Sequence, residues 1–297
     1  MKTILLCDSG LGGLDIAARL LEQIRGRGDG AFRLIYFNAW PHPQRGYNLL
    51  KNDQERSQVF AAALEGMARF QPDFCLIACN TLSIVYRRIA TTKPAPFPMI
   101  EMVRPASEFF AETMLHQPEL RLLILGTETT IRSGMYTAQL LQAGIPPERL
   151  ASLACPGLAT VLEDGFDSPA VRQKIAAAAE QARTMLPTDT PLALALCCTH
   201  FGYAENLWKK EFAACFRQEP QLLNPNASIL SQPELQSCLQ QVGNPKIKAE
   251  FFSRFPMPQT KMQFFAEYFK GSAPELSEAL LHARCDEALF TLPEGIF

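Results

Sequence analysis

The chain has 297 residues, of which 47% are hydrophobic, and its formal net charge at pH 7 is −2. This length is typical of about two domains, and the composition is that of a globular protein. A net charge near zero and a sequence pI near 6.1 argue against nucleic acid as the partner, because surfaces that bind nucleic acid are basic.

The first residues do not have the pattern of an export signal or a membrane anchor. Their apolar run covers only residues 4–7, and no later run approaches the roughly 20 apolar residues of a membrane helix. The nine cysteines are an odd number in a long chain, which favours free, buried or catalytic thiols in a reducing compartment. We therefore expect a cytoplasmic protein that contacts no membrane.

Five short apolar runs, each ending in small or polar residues, predict β-strands. They cover residues 4–7, 34–37, 74–78, 122–125 and 192–197. Apolar residues at helical spacing between these runs, as in 14–24 and 59–67, predict amphipathic helices. Apolar strands that alternate with helices indicate an α/β fold with parallel sheets flanked by helices. The prolines of residues 91–98 cannot continue a helix and mark a domain boundary.

One arrangement of strand ends occurs twice along the chain. Predicted strands run into Asp8 and Cys79 in the first part, and into Thr127 and Cys198 in the second. The spacing from Asp8 to Cys79 equals that from Thr127 to Cys198. Because α/β sheets bind ligands beyond the carboxyl ends of their strands, we expect two related halves, each with a cysteine at its ligand-binding edge.

Cys79 and Cys198 are the candidate reactive residues. An isolated free cysteine is more often a buried core residue than a reactive group. Here each cysteine is followed by side chains that form hydrogen bonds, Asn80 and Thr81 after the first, Thr199 and His200 after the second. The start of a helix beside a thiol lowers its pKa from about 8.5 toward neutrality. The sequence therefore favours acid–base or nucleophilic chemistry at these two positions.

Other chemistries fit the sequence less well. A zinc site is disfavoured, because the four histidines and the cysteines form no second pair with ligand spacing. The glycine-rich segment from Asp8 to Gly13 lacks both the dinucleotide pattern and a P-loop lysine. Asp8 is interpreted either as a helix N-cap or as a group that takes part in proton transfer. We assign the cysteines without polar neighbours to packing: Cys7, Cys155, Cys197, Cys215, Cys238 and Cys285.

In combination, the motifs resemble the aspartate/glutamate racemase family, and within it the glutamate racemases. The resemblance is carried by five segments: 8–13 with its Asp8-Ser9-Gly10 start, 78–81 with Ala78-Cys79-Asn80-Thr81, 127–136, 155–165 with Cys155-Pro156 and Glu163, and 198–200 with Cys198-Thr199-His200. It extends over nearly the whole chain, with a looser match at 251–255 and 264–269.

The resemblance implies an isomerase that needs neither a metal nor another cofactor. One cysteine thiolate removes the α-proton of an acidic amino acid, glutamate first, and the other thiol returns a proton on the opposite face. The catalytic residues implied are Cys79, Cys198, Asp8, His200 and Glu163. The substrate-binding residues implied are Ser9, Pro43, Arg45, Gly46, Asn80, Thr81, Thr130 and Thr199. In bacteria such an enzyme supplies D-glutamate for the cell wall.

The resemblance also implies an architecture of two α/β domains with the active site in the interdomain cleft. The first domain would be discontinuous, comprising residues 1–98 and 203–297, and the second would comprise 99–202. Family members are often dimers, so the resemblance allows a homodimer. The partner of the site would be a small molecule.

The sequence departs from the family's pattern near the expected pocket rim. Asn38 and Asn224 stand where an aspartate is typical, and Arg104 where a glutamate is common. Phe201-Gly202 replaces a Tyr-Pro pair. The family's Pro-Tyr-Gly run, whose backbone helps to bind substrate, appears as residues 43–46 and is one residue longer.

These departures leave several alternatives for the substrate and the function. An aspartate or hydantoin racemase or epimerase would keep both cysteines, as would a thiol redox protein that pairs them. A non-catalytic descendant that binds a small acid has no need of two matched thiols. The prediction from the sequence is therefore racemisation of an acidic amino acid, glutamate foremost.

Overall fold

A computed structural model describes residues 1–27, 30–240 and 246–296. Contacts divide the chain into two compact units. The first unit comprises Met1–Glu101 together with the chain from Ile229 onward, and the second unit comprises Met102–Ser228. Within the described ranges, no helix combines the length and the apolar character that crossing a membrane requires.

Strands and helices alternate along most of the described chain. The strands are β1 (Lys2–Asp8), β2 (Ala31–Asn38), β3 (Phe74–Ile77), β4 (Met99–Glu101), β5 (Arg121–Gly126), β6 (Leu150–Ala154), β7 (Leu192–Cys197), β8 (Gln221–Leu223), β9 (Lys246–Ser253) and β10 (Arg284–Cys285). The α-helices are α1 (Leu14–Arg27), α2 (Asp53–Ala68), α3 (Asn80–Ile89), α4 (Val103–His116), α5 (Glu128–Ser133), α6 (Met135–Gln142), α7 (Leu158–Leu162), α8 (Pro169–Met185), α9 (Glu205–Cys215), α10 (Pro233–Cys238), α11 (Gln259–Phe269) and α12 (Pro274–Leu281). Short 3₁₀ helices cover Tyr47–Leu49, Pro147–Arg149, Thr199–Ala204 and Pro225–Ser231.

The first unit contains a six-stranded sheet in the order β10-β9-β2-β1-β3-β4. All neighbouring strands in it are parallel. In the interior strand β1, residues from Ile4 to Cys7 are fully buried, as expected where helices cover both faces of a parallel sheet. Asp8 and Asn38 pair at the carboxyl ends of β1 and β2.

The second unit contains a four-stranded parallel sheet in the order β6-β5-β7-β8. This order repeats that of β2-β1-β3-β4 in the first unit. The prediction of two similar α/β domains with parallel sheets flanked by helices is therefore confirmed. In each sheet the connections change direction beside the first strand, and such a switch point is where α/β proteins bind ligands.

The five strands expected from apolar runs all form, as β1, β2, β3, β5 and β7. The helical patterns at 14–24 and 59–67 lie in α1 and α2. No apolar run predicted β4, β8 or β10, because strands of two or three residues have no readable period.

The boundaries of the units differ from those expected from the sequence. The second unit begins at Met102, shortly after the proline-rich residues 91–98, but the chain returns to the first unit at Ile229 rather than near residue 203. The intervening segment stays with the second unit because β8 pairs with β7. Trp208 of α9 is also fully buried in that unit's core.

Candidate active site

Asp8, at the carboxyl end of β1, is fully buried and organises the loop that follows. One carboxylate oxygen accepts a hydrogen bond from the Ser9 amide at 2.7 Å. The other accepts from the Gly13 amide at 2.6 Å and from the Tyr36 hydroxyl at 2.9 Å. Three donors directed at one carboxylate fix its orientation and hold the loop against it. The N-cap interpretation is met in part, because the carboxylate accepts a hydrogen bond from the amide of Gly13, the residue immediately before α1.

Cys79 lies between the end of β3 and the start of α3, next to the Asp8 loop. Its Sγ is 3.2 Å from the Ser9 hydroxyl oxygen, and the side chain is buried. Burial, and then the charge of Asp8, raise the pKa of the Cys79 thiol well above its usual range, although hydrogen bonds from Ser9 and Leu82 oppose this. The expected shift of this pKa toward neutrality is therefore wrong for the free protein. The thiol is the favoured form of Cys79.

Gly13 allows the Asp8 loop to lie directly against the segment that leads to Cys79. A Cβ on Gly13 would lie 2.9 Å from both Cβ and O of Ala78, and 3.2 Å from Cβ of Asp8. These atoms belong to backbone or to short side chains, so the collision cannot be relieved by a rotamer change. Only a residue without a side chain fits at this position.

We expect Gly13→Ala to lower the free energy of unfolding by about 1–3 kcal/mol, the usual cost of overpacking. Urea denaturation followed by circular dichroism measures this change. Gly26→Ala is the matched control, because nothing lies within 4 Å of a Cβ at that position of α1. Unfolding midpoints that shift equally in the two variants would contradict the close contact at Gly13.

Cys198 occupies the corresponding place in the second unit, directly after β7. Its backbone angles, φ −151° and ψ 126°, match those of Cys79, φ −149° and ψ 121°. Both cysteines immediately precede a helix, a 3₁₀ helix in the case of Cys198. The sequence repeat around the two cysteines is thus also a repeat of local backbone conformation.

Cys198 and His200, both buried, form a polar chain with the partly buried Glu163. The Cys198 sulfur is 3.8 Å from His200 Nδ1, and His200 Nε2 is 3.0 Å from Glu163 Oε1. Burial by itself lowers the pKa of His200, but hydrogen bonds and charges from Cys198 and Glu163 outweigh it and raise this pKa well above 6.5. The imidazolium is therefore favoured at neutral pH, where it can donate a proton toward Cys198.

The raised pKa of His200 makes stability depend on pH. Because this pKa is higher in the folded than in the unfolded protein, the stabilisation is fully present below pH 6.5 and is lost as the pH rises through the folded value. In Glu163→Gln one cause of the raised pKa is removed, so the loss should begin at lower pH. Melting temperatures measured across the pH range test this, with the exposed Glu119→Gln as control. Identical pH profiles for the two variants would contradict the assignment.

Thr130 lies beside the strand end that leads to Cys198. Its side chain and the carbonyl of Cys197 flank Gly126, where an added Cβ would be 3.1 Å from Thr130 Cγ2 and 3.2 Å from Cys197 O. The Thr127 hydroxyl accepts a hydrogen bond from the Thr130 amide at 3.3 Å and lies 3.0 Å from the Thr130 hydroxyl oxygen. The predicted binding residue Thr130 is thus held at the carboxyl end of β5, beside the end of β7, which leads to Cys198.

The other predicted binding residues divide into two groups. Asn80, Thr81 and Thr199 are buried at the starts of the helices that follow the two cysteines. Gly46 is buried in the loop between β2 and α2, whereas Pro43 and Arg45 are exposed at the tip of that loop. The roles assigned to all of these residues remain predictions.

Two departures from the family pattern meet in the second unit. Asn224 donates a hydrogen bond to Glu205 at 2.8 Å, and its amide nitrogen occupies the space that a Cβ on Gly202 would need. Two residues on, Asn226 donates to the carbonyl of Thr199 at 3.3 Å. The position of the Asn224 side chain therefore requires a residue without a side chain at Gly202.

Two residues that support the site, Tyr36 and Asn226, were not predicted from the sequence. Tyr36 holds the Asp8 carboxylate and is also 2.9 Å from the carbonyl of Gly10, and Asn226 holds the backbone beside Cys198. A tyrosine inside an apolar strand is a usable signal, because a buried phenol needs a hydrogen-bond partner. No local pattern distinguishes Asn226 from an ordinary loop residue.

All nine cysteines are free, and most of those assigned to packing are buried or partly buried. Cys285 is exposed, so its assignment to packing is wrong; it lies at the edge strand β10. Among the residues that the structure describes, no group of three or more His, Cys, Asp or Glu side chains is placed to hold a metal ion.

The sequence model of the Asp/Glu/Hydantoin racemases matches residues 4–214, more than two thirds of the chain. The chain belongs to this family. The predicted family is thereby confirmed, and so, at the level of the family, is the prediction of an isomerase of the racemase type.

Individual members of the racemase family are similar over much of their length. A glutamate racemase from Syntrophus aciditrophicus is 28% identical over 196 residues, covering 65% of this chain and 66% of that protein. One from Limosilactobacillus reuteri is 26% identical over 231 residues, covering 78% and 79%. The crystal structure of glutamate racemase from Campylobacter jejuni superposes with a TM-score of 0.67 at 24% identity, covering 90% of this chain and 96% of that one. The structural likeness supports the fold.

Proposed function

We propose that this protein racemises glutamate, with Cys79 and Cys198 as the two acid–base groups. The observation that carries the proposal is the repeated placement of the two cysteines. Each follows the strand at the switch point of its own sheet, with nearly the same backbone angles and its own polar partners. The similar proteins named glutamate racemase make glutamate the first substrate to test.

In the proposed reaction, the thiolate of one cysteine takes the α-proton of the substrate and becomes a thiol. The electron pair left on Cα is delocalised into the carboxylate, and the thiol of the other cysteine gives its proton to the opposite face of Cα. The product is the other enantiomer, and the two cysteines have exchanged protonation states. Proton exchange with solvent restores the starting state.

The charge that develops on the substrate needs donors fixed in advance, because the α-proton is very weakly acidic. The buried residues at the helix starts, Asn80, Thr81 and Thr199, and Thr130 beside β5 are the candidates for this role. Asp8 and Ser9 would assist proton transfer at Cys79, and His200 with Glu163 would assist it at Cys198. In this assignment each cysteine has a separate set of assisting groups.

Exchange of the α-proton tests the proposal directly. Purified protein in D2O is given L-glutamate and D-glutamate separately, and NMR and chiral chromatography follow deuterium at Cα and inversion. Deuterium incorporation together with inversion of both enantiomers is expected. Exchange with aspartate or a hydantoin, but not with glutamate, would move the assignment to another substrate of the family. An absence of exchange with all of these would overturn the proposed activity.

A further inference from the structure

The loop of residues 39–50 follows β2 and leads toward α2, which begins at Asp53. It leaves the carboxyl end of β2, which pairs with β1 so that Asn38 lies beside Asp8. The loop therefore starts at the ligand-binding edge of the sheet. Its tip, residues 43–45, is exposed, whereas Pro41, Gly46 and Tyr47 are buried.

Trp40 bridges the two sides of the exposed tip of this loop. Its six-membered ring lies directly over Gly46, where an added Cβ would be 2.7 Å from Cζ3, 2.8 Å from Cζ2 and closer still to Cη2. The indole Nε1 donates a hydrogen bond of 2.7 Å to the carbonyl of His42. The ring thus contacts the loop both before and after the exposed tip.

Further hydrogen bonds fix the stem and the turn. The Trp40 amide donates to Asn38 Oδ1 at 3.0 Å, and Arg254 donates to the carbonyl of Pro41 at 2.8 Å. Within the turn, the Arg45 amide donates to the carbonyl of His42 at 3.1 Å. Together with the stacked indole, these contacts favour one backbone conformation for the tip before any ligand binds.

The far end of the loop is anchored in the core of the first unit. The Tyr47 ring packs edge-on against Phe60 of α2, with 6.4 Å between ring centroids, in the same core cluster as Cys79. Arg56, also on α2, donates to the Tyr47 carbonyl at 2.8 Å. The loop is thus held between the sheet edge at Asn38 and the core beside Cys79.

We propose that Trp40 is a positioning residue that holds residues 43–46 in the conformation that receives the substrate at the Cys79 side of the site. This inference rests on the proposed racemase function and deepens it. Fixing the loop in advance reduces the ordering cost of binding, so the effect of losing Trp40 should fall on KM and not on proton transfer.

Two variants disturb the contact between the Trp40 ring and Gly46 from opposite sides. Trp40→Phe removes the six-membered part of the indole and its N–H donor, and Gly46→Ala places a methyl group where that ring lies. Each should raise the KM for glutamate about tenfold, while kcat stays within about twofold of the wild type. Gly26→Ala, with nothing near its added Cβ, should leave both constants unchanged.

A double-mutant cycle tests whether the two substitutions act through one shared contact or through two unrelated defects. Once the ring is shortened, a methyl group at position 46 has less to collide with, so Trp40→Phe with Gly46→Ala should be little worse than either single variant. Effects on KM that multiply in full would contradict a shared contact. Single variants that fold and keep the wild-type KM would overturn the inference, even if the wild type racemises glutamate.

Trypsin provides a readout that does not depend on activity, because Arg45 lies exposed at the tip of the loop. Cleavage after Arg45, measured by mass spectrometry, should be about tenfold faster in Trp40→Phe and Gly46→Ala than in the wild type or in Gly26→Ala. Equal cleavage rates would show that Trp40 does not hold the loop and would overturn the inference. A wild-type protein that racemises none of the tested acids would instead overturn the proposed function.

Discussion

Replacing either Cys79 or Cys198 with serine should lower the kcat/KM for glutamate racemisation by about 10³-fold, within the usual range for losing a general acid or base. Serine is nearly the same size as cysteine, so both variants should fold, but its hydroxyl is far too weak an acid to supply the required base. Racemisation is followed by chiral chromatography. Cys215→Ser is the control, since Cys215 is only partly buried and lies outside both sites.

The two serine variants should also differ from each other in a defined way. With one cysteine left, the protein can still remove a proton from one enantiomer and return deuterium to the same face. Each variant should therefore exchange the α-proton of only one enantiomer without inverting it, and the two variants should select opposite enantiomers. Exchange of the same enantiomer by both variants would contradict the two-base assignment.

Thermodynamics adds a constraint on every variant. L-glutamate and D-glutamate have equal free energies in water, so the equilibrium constant is one and kcat/KM must be equal in the two directions. A substitution at one cysteine or its partners can therefore make kcat differ between the two directions, and KM likewise. The ratio kcat/KM must stay equal in both directions. Unequal values of kcat/KM in the two directions would indicate a fault in the assay and not a property of the site.

Asp8→Asn should lower racemisation by about 10²-fold and should also change the acidity of Cys79. An amide presents an NH2 group to at least one of the donors that Asp8 now accepts from, the amides of Ser9 and Gly13 and the hydroxyl of Tyr36. The loop is then expected to lose its fixed geometry. Removing the negative charge also removes the second-largest cause of the raised pKa of Cys79, after burial.

The acidity of Cys79 can be measured separately from activity. In a Cys198→Ser background, the rate of alkylation of Cys79 by iodoacetamide is followed against pH by peptide mass spectrometry. The midpoint should move to lower pH in Asp8→Asn. Tyr36→Phe is the matched control, because it removes one hydrogen bond to Asp8 and keeps the charge. Its midpoint should remain near that of the Cys198→Ser protein without a second substitution. A midpoint that moves upward in Asp8→Asn would contradict the role given to the carboxylate charge.

The sequence was sufficient to predict the parts of the fold that depend on local patterns. Residues 4–7 and 74–78 are apolar runs that end in polar residues, and they form strands whose carboxyl ends bring Asp8 and Cys79 to one sheet edge. The equal spacing of Asp8–Cys79 and Thr127–Cys198 predicted two halves, whose sheets share one strand order. These features follow from hydrophobic periodicity and from the topology of parallel sheets.

Other features depend on contacts between residues far apart in sequence, and no local pattern predicts them. The position of the Trp40 indole over Gly46 is set by how the whole loop folds back. Similarly, β8 is only three residues long, yet its pairing with β7 keeps the chain in the second unit up to Ser228. The direction of the Cys79 pKa shift depends on burial and on Asp8, neither of which the motif itself reveals.

The discontinuity of the first unit has a consequence for how the protein is made. β9 pairs with β2 along the full length of that strand, but it is supplied by residues 246–253, after the whole second unit has left the ribosome. The second unit is one continuous segment and can complete its sheet during synthesis, whereas the first must wait with an unpaired β2 edge. We therefore expect the second unit to complete its sheet before the first, against the usual N-terminal-first order of cotranslational folding.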